Sequence, residues 1–333
     1  MKKSQDQDIT TTKLVTPLNL REEKEKFFFD EKYNPQFEYI RDIPPELLTK
    51  YGDASDEYLP QAKKVLELVL EKWGSESKYL ESVEGKILTK EETSKIIHTY
   101  LEENKLNKLV KTQYSYEVVS RTSMYKGTMT IRLPIEYREY SIYGMLNHEI
   151  GTHFLRSQNE QRQPWYNQKK QYGFQEYLPT EEGLASLHEL LSVNEKYLWI
   201  KALDYYAVNL AQSLSFSELF KELRTFVDDR NRCWTRCVRV KRGLRDTSKN
   251  GAFSKDQVYF AGAILVGKWL MKNNYATEKL YLGKISISDL KKAEEIGIKE
   301  NLLLPSFIQD KEIYAQEIQK ILETNLLLEM CQK

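Results

Sequence analysis

The sequence His148-Glu149-Ile150-Gly151-Thr152-His153 holds two of the four histidines of the chain. The two imidazoles stand five residues apart, and a glutamate directly follows the first. Neutral imidazoles are common zinc ligands, and a neighbouring carboxylate can take a proton from a water molecule on the metal. The usual spacing of such a pair is four, which puts both histidines on one helical face. The pattern therefore predicts a metal site on a helix of unusual geometry.

The five-residue spacing requires a distortion of that helix. In a regular helix of about 3.6 residues per turn, five residues rotate a side chain by roughly 140° onto another face. A turn closed by i→i+5 hydrogen bonds would bring His153 back over His148, and such π turns favour functional sites. Gly151 lies where a residue without Cβ distorts at least cost. We predict a π-bulged helix; in the competing interpretation the two histidines are ordinary and bind no metal.

A hydrolytic zinc site needs a third protein ligand and one position open for water. His98 and His188 are candidates, but the segment 179–186 is the better one because it predicts a helix start that an antiparallel return could bring to the histidines. A glutamate in a first helical turn also has an ordinary role, the compensation of the helix dipole. The residues alone do not separate Glu181 from Glu182.

Hydrophobic periodicity predicts a mostly helical protein of the α+β class. Alternating apolar residues favour strands over 110–118 and 128–133, joined through a turn at 125–127 into a small antiparallel sheet before the metal helix. The second strand would offer an edge to which an extended peptide could add. Helices are predicted over 57–73, from Thr89 onward, and over 138–158, 180–194, 196–213, 215–228, 254–272, 286–296 and 309–330.

The domain organisation predicted from these patterns is simple. Residues 1–20 are polar and unpatterned, which is typical of a flexible tail. Residues 21–333 form a single catalytic domain, with an N-terminal lobe over about 21–160 that carries the sheet and the metal helix. A C-terminal helical lobe spans about 161–333.

The composition excludes several classes of function. The chain of 333 residues has 50 Lys+Arg and 49 Asp+Glu, a net charge of +1, which argues against a globally basic nucleic-acid binder. Its longest apolar stretch is far short of the ~20 residues that span a bilayer, and its start lacks the apolar core of a secretory signal. Three cysteines make no disulfide framework. We expect a cytoplasmic monomer that binds neither nucleic acid nor membrane.

Several motifs resemble those of one known family. The stretches 148–156, 163–165 and 180–185, together with 33–37 and 253–259, are similar to elements of the microtubule-associated tyrosine carboxypeptidases and of bacterial relatives named for a Gln-Glu-Gly-Leu-Ala motif. The resemblance covers about residues 25–275. It implies a zincin-like HExxxH zinc metallopeptidase that removes the C-terminal tyrosine of α-tubulin, with an acidic protein tail, tubulin or microtubules, as the partner.

The resemblance also implies roles for individual residues. His148, His153 and Glu182 would bind one Zn²⁺ per chain, and Glu149 would be the general base that activates the zinc-bound water. Glu182 is chosen over Glu181 because the stretch Glu182-Gly183-Leu184-Ala185 aligns with the family motif.

A carboxypeptidase must also hold the terminal carboxylate and stabilise an oxyanion. Residues 230–245 contain seven basic residues and no acid, so Lys241 and Arg242 are predicted to bind the substrate, with Lys255 beyond them. Tyr259 is predicted to be the oxyanion donor. The basic run could also bind nucleic acid, or be neutralised by acids elsewhere in the fold.

Two other functions compete with this prediction. One is a zinc peptidase that acts on another peptide or protein C-terminus. The other is a non-catalytic tubulin-binding scaffold that kept the fold, which is disfavoured because all four expected site residues are present.

Overall fold

The computed structural model describes residues 11–116 and 121–332, most of them helical. The α-helices are α1 (Thr11–Leu14), α2 (Leu20–Phe29), α3 (Pro45–Leu48), α4 (Leu59–Trp73), α5 (Glu76–Glu84), α6 (Lys90–Glu103), α7 (Ile142–Leu146), α8 (Leu155–Glu160), α9 (Leu178–Glu189), α10 (Trp199–Leu210), α11 (Phe216–Leu223), α12 (Arg230–Lys241), α13 (Gln257–Lys272), α14 (Leu290–Ile296), α15 (Lys311–Thr324) and α16 (Leu328–Gln332). A π-helix, Asn147–Phe154, joins α7 to α8, and the strands are β1 (Lys111–Ser115), β2 (Thr122–Tyr125) and β3 (Thr128–Arg132). Within the described ranges, no helix has both the length and the apolar character needed to span a membrane.

The chain forms two compact units, each built from separate chain segments. Unit 1 takes its described residues from 11–77 and 199–258, and unit 2 from 78–116, 121–198 and 259–332. All the predicted metal residues lie in unit 2. The single domain with two continuous lobes stays a prediction.

Helix α4 of unit 1 buries the apolar face that its periodicity predicts. Val65, Leu66 and Val69 are fully buried, and the helix packs against α10. Gly74 ends it with φ 78°, the left-handed conformation that glycine adopts without a Cβ penalty.

Part of the segment predicted as a flexible tail is folded into unit 1. Residues 11–14 form helix α1, and Val15 is fully buried. Residues 1–10 of that segment lie outside the described residues, so the prediction is not tested there.

Helix α12 is absent from the helices predicted by periodicity. Asp229 caps it by accepting a hydrogen bond from the backbone N–H of Arg232 at 2.7 Å. Cys233, Cys237 and Val240 are fully buried on one face of it. The two cysteines are therefore packing residues, and their spacing of four was a usable signal of the helix.

In unit 2 helix α6 starts at the predicted position with a capping box. The backbone N–H of Glu92 donates to Thr89 Oγ1 at 3.1 Å, and the backbone N–H of Thr89 donates to Glu92 Oε2 at 2.8 Å. Each pair satisfies one end amide, so the helix begins where the sequence predicts.

The small sheet is mixed, which corrects the predicted antiparallel hairpin. Strand β3 lies in the centre: β1 pairs with it in parallel and β2 in antiparallel orientation. The predicted turn is correct, because Lys126 and Gly127 join β2 to β3 with φ of 44° and 77°. The predicted edge is wrong, since β3 has a neighbour on both sides. Residues 117 and 118 of the first predicted strand lie outside the described residues.

The helix predicted over 309–330 is broken into α15 and α16. Leu326 adopts φ 55°, and the buried Asn325 side chain lies at the break. Asn325 accepts a hydrogen bond from the backbone N–H of Leu198 and donates one to the carbonyl of Lys196, each at 2.7 Å. A long-range contact therefore stops a helix whose local pattern continues.

Two glycines allow helices α9 and α13 to touch through their backbones. A Cβ atom on Gly183 would lie 2.1 Å from the carbonyl carbon of Gly262, and one on Gly262 would lie 2.2 Å from the carbonyl oxygen of Pro179. Neither helix can carry a side chain at this crossing. The contact fixes the turn of α9 that carries Glu182.

We expect Gly183→Ala to lower the free energy of unfolding by about 1–3 kcal/mol, because the new methyl group must push one backbone away from another. The matched control is Gly267→Ala, also on α13, whose Cβ would meet the movable end of the Leu322 side chain at 2.8 Å. Urea denaturation of both variants measures the difference. Equal stabilities would show that the crossing tolerates a methyl group.

Candidate metal centre

The π-helix brings the two histidines of the opening motif together, as predicted. Over Asn147–Phe154 the chain makes a wider turn, and the rings of His148 and His153 lie with centroids 4.7 Å apart at 83°. Thr152 supports the wide turn because its hydroxyl donates to the carbonyl of Asn147, five residues earlier, at 2.8 Å. The buried Tyr281 hydroxyl donates to the carbonyl of Gly151 at 2.7 Å.

Gly151 is needed here for space. A Cβ atom at this position would lie 2.6 Å from the Phe307 ring and 2.8 Å from the Tyr100 hydroxyl. That hydroxyl donates to Asn147 Oδ1 at 3.1 Å, so Tyr100 is held against the π-helix. The sequence correctly singled out Gly151, but ease of backbone distortion is only part of the reason.

Helix α9 brings a third donor to the two histidines. Donor atoms of His148, His153 and Glu182 all lie within 4.8 Å of one another. Glu182 Oε2 is 3.4 Å from His153 Nε2 and 3.8 Å from His148 Nε2. This oxygen is buried and makes no hydrogen bond with any described residue. Two imidazoles and one carboxylate with an unsatisfied buried oxygen are a donor set that suits zinc.

The neighbouring acids of α9 orient the two histidines. His153 Nδ1 is 2.6 Å from Glu181 Oε1, and His148 Nδ1 is 3.2 Å from Glu189 Oε2. Such hydrogen bonds fix the tautomer and the ring orientation of metal-binding histidines. The structure therefore separates Glu181 from Glu182, which the residues alone left open. Glu189 was missed, although its position two helical turns after Glu182 was a usable signal.

A buried charge cluster holds Glu181 in place. The fully buried Arg156 lies with Nη1 2.5 Å from Glu181 Oε2, and Lys284 Nζ is 3.1 Å from Glu181 Oε1. Burial would raise the pKa of Glu181, but Arg156, Lys284 and His153 hold it well below its usual range. Burial would lower the pKa of His153, but the carboxylates of Glu181 and Glu182 raise it to about 10. The site thus carries excess negative potential at the histidines, which favours a cation.

The two other histidines are not ligands of this group. His188 is fully buried: its Nδ1 is 2.8 Å from the Thr152 hydroxyl and its Nε2 is 2.9 Å from the Tyr314 hydroxyl. Burial lowers the pKa of His188 well below its usual value, so it is a neutral link that braces the π-helix. His98 is exposed on α6, 3.4 Å from Glu102.

A cavity of about 460 Å³ opens beside the three donors, within the roughly 300–1,000 Å³ typical of ligand sites. Glu149, His153 and Glu182 line it, and the β2–β3 hairpin (residues 124–127) forms part of its wall. Tyr259 is not among the described residues that line it, so its predicted role gains no support here.

The three predicted substrate-binding residues lie in unit 1. Lys241 is fully buried and donates to the carbonyls of Ala211 and Lys249 at 3.0 and 2.9 Å. This burial corrects the prediction for Lys241, because its ammonium already has two internal acceptors. Arg242 lies over the Phe253 ring at 4.8 Å, and Lys255 is half-buried in a 3-10 turn.

The basic run is balanced inside unit 1. Three half-buried arginines of this run pair with acids: Arg236 is 2.9 Å from Asp204 and Arg239 is 2.9 Å from Asp256. Arg230 is 2.7 Å from Glu31. The structure favours the interpretation in which acids elsewhere in the fold neutralise this segment.

The sequence was compared with protein families and with known proteins, and the matches cover the candidate metal centre. Positions 48–329 match the family described as microtubule-associated tyrosine carboxypeptidase. The chain is 38% identical over 323 residues to microtubule-associated tyrosine carboxypeptidase 1 of Mus musculus, a match that covers 94% of this chain and 68% of that protein. It is 39% identical over 320 residues to the Homo sapiens protein of the same name, with the same coverage. The matched range includes every residue of the candidate metal centre.

Proposed function

The chain belongs to the microtubule-associated tyrosine carboxypeptidase family, and we propose that it is a zinc carboxypeptidase that removes the terminal tyrosine of α-tubulin. The observation that carries the proposal is the meeting of His148, His153 and Glu182 beside a cavity that His153, Glu182 and Glu149 line. The names of the relatives supply the terminal tyrosine and the association with microtubules. Because the proposed substrate is α-tubulin, we also propose that the protein is cytoplasmic and associates with microtubules.

His148, His153 and Glu182 would hold the metal. Zinc, when bound, polarises a substrate carbonyl and makes a water molecule more acidic. Glu189 and Glu181 would keep the Nε2 atoms of the two histidines directed at it, through hydrogen bonds to each Nδ1.

Glu149 is the residue proposed to move the proton. It is half-buried, lines the cavity, and follows directly on His148, yet it is outside the group of converging donors. A carboxylate in this position can accept a proton from water and deliver it to the leaving amine. Tyr259 as the oxyanion donor stays a prediction.

The test is mass spectrometry of a peptide with the acidic α-tubulin tail and its terminal tyrosine. We expect loss of one tyrosine by the wild-type protein, no loss after incubation with a zinc chelator, and recovery on addition of Zn²⁺. His153→Ala should be inactive under all three conditions, because two remaining donors bind zinc weakly.

Each alternative predicts a different outcome. Release of other C-terminal residues but not tyrosine would indicate a carboxypeptidase of other specificity. Binding of the peptide without cleavage, in a protein with full metal content, would indicate a scaffold and contradict the proposal.

A further inference from the structure

We propose that the ammonium group of Lys284 binds the terminal carboxylate of the substrate; this inference rests on the proposed carboxypeptidase function. Lys284 lies in unit 2 and lines the same cavity as Glu149, His153 and Glu182. From the sequence, residues of unit 1 are predicted for this role because the basic run lies there. Lys284 lies between the neutral residues Gly283 and Ile285, so no cluster of charge in the sequence marks it as a binding residue.

The chemistry of the reaction limits where this cation can be. In a peptide that loses its last residue, only three bonds of about 1.3–1.5 Å separate the scissile carbonyl carbon from the terminal carboxylate carbon. The cation must therefore lie next to the metal residues. Glu181 Oε1 is 2.6 Å from His153 Nδ1 and 3.1 Å from Lys284 Nζ, so one carboxylate oxygen bridges the histidine and the lysine.

Lys284 is a surplus cation in its surroundings. The fully buried Arg156 lies 2.5 Å from the other oxygen of Glu181 and already balances its single charge. Lys169 Nζ lies 2.7 Å from Glu160 Oε1, which makes a second neutral pair. These five side chains comprise three cations and two anions. Within this group Lys284, at the cavity, is the cation without a carboxylate of its own. The negative potential at the histidines comes from Glu181 and Glu182, and a bound metal ion would offset it, so a substrate carboxylate is the ligand left for Lys284.

Lys284 is also positioned in advance and remains reachable. Glu181 holds its ammonium, while the side chain keeps 26% of its surface exposed. A charge in such a partly buried position is screened less by salt than one at the surface. Lys126, the other lysine among the described cavity residues, is exposed on the β2–β3 turn with its ammonium 5.3 Å from the Tyr125 ring. Lys126 is therefore the matched control.

The experiment compares two peptides, one with a free terminal tyrosine and one with its carboxyl group amidated, on the zinc-loaded wild type, Lys284→Met, Lys284→Arg and Lys126→Met. We expect Lys284→Met to lower kcat/KM on the free acid by about 100-fold, the loss typical of removing one partner of a buried, hydrogen-bonded charge pair. The same variant should cleave the amide as slowly as the wild type. Lys284→Arg should restore part of the activity, and Lys126→Met should keep the preference for the free acid.

The controls separate the two proposals. Failure of the wild type to cleave either peptide would overturn the proposed function, whereas full activity of Lys284→Met with its free-acid preference intact would overturn only the role of Lys284. Zinc content and thermal melting are measured on each variant. A Lys284→Met protein that is folded and zinc-loaded but equally impaired on both peptides would assign Lys284 a structural role, and would contradict carboxylate binding.

Discussion

Glu149→Gln is expected to lower turnover of the tyrosine-ended peptide by about a thousandfold while the protein keeps its metal. Glutamine has nearly the shape of glutamate but no basicity, so it cannot accept the proton from water, and general-base catalysis contributes about 10²–10⁴ in rate. Because Glu149 is not one of the converging donors, its loss should leave zinc binding intact. Single-turnover cleavage and metal analysis of the same sample measure the two effects.

The matched variant is Glu189→Gln. Glu189 accepts from His148 Nδ1, and the amide oxygen of glutamine can still accept that hydrogen bond. We expect a smaller loss, about 10-fold, seen in metal affinity more than in the rate of the loaded enzyme. A Glu149→Gln protein with wild-type turnover would exclude Glu149 as the base. A Glu149→Gln protein without metal would show instead that Glu149 acts in metal binding.

The sequence predicted the metal helix well because one local rule determines it. Two histidines five residues apart can meet only if the helix is wound to i→i+5, and residues 147–154 are wound that way. The start of α6 at Thr89 and the end of α4 at Trp73 were predicted for the same reason. In each case the partners lie within a few residues of each other, so the pattern contains the whole interaction.

Features that depend on distant contacts could not be predicted in this way. Strand β1 pairs in parallel with β3, although β2 lies between them along the chain. The periodicity of a strand shows which of its residues are buried, but not which strand it pairs with. The basic run looked like a binding surface because its acidic partners, such as Asp204 and Glu31, lie far away in sequence. The surplus charge of Lys284 is visible only after Arg156 has been placed beside Glu181.

The choice between Glu181 and Glu182 as the metal ligand depends partly on local sequence and partly on distant contacts. Local sequence treats the two as equal, and the resemblance to a family motif favoured Glu182. The structure supplies a physical reason: Glu182 Oε2 has no hydrogen-bond partner among the described residues, whereas both oxygens of Glu181 are engaged. Replacing Glu181 should therefore mainly lower the stability of the fold, whereas replacing Glu182 should mainly remove zinc binding.

Glu181→Ala is expected to lower the free energy of unfolding by about 3–5 kcal/mol, measured by urea denaturation in the presence of chelator. It leaves the buried Arg156 without its carboxylate, and an uncompensated buried charge costs about this much. Glu182→Ala should lower the stability of the metal-free protein less, since Glu182 contacts His153 at 3.4 Å but its removal leaves no buried arginine unpaired. It should abolish tight zinc binding.

The pH dependence gives the same assignment a second test. The pKa of Glu181 is depressed in the folded protein, so its stabilising contribution is fully present above its unfolded pKa of about 4.3 and is lost as the pH falls toward the depressed folded value. The stability difference between wild type and Glu181→Ala should therefore be largest between about pH 4.3 and 6.5 and shrink below that range. It should also decline as the pH rises above about 6.5, because Glu181 helps to raise the pKa of His153 to about 10 in the folded protein. Glu182→Ala should show only a small difference across that range. If instead Glu182→Ala unfolds the protein and Glu181→Ala only releases zinc, the two roles are exchanged, and the third ligand is Glu181.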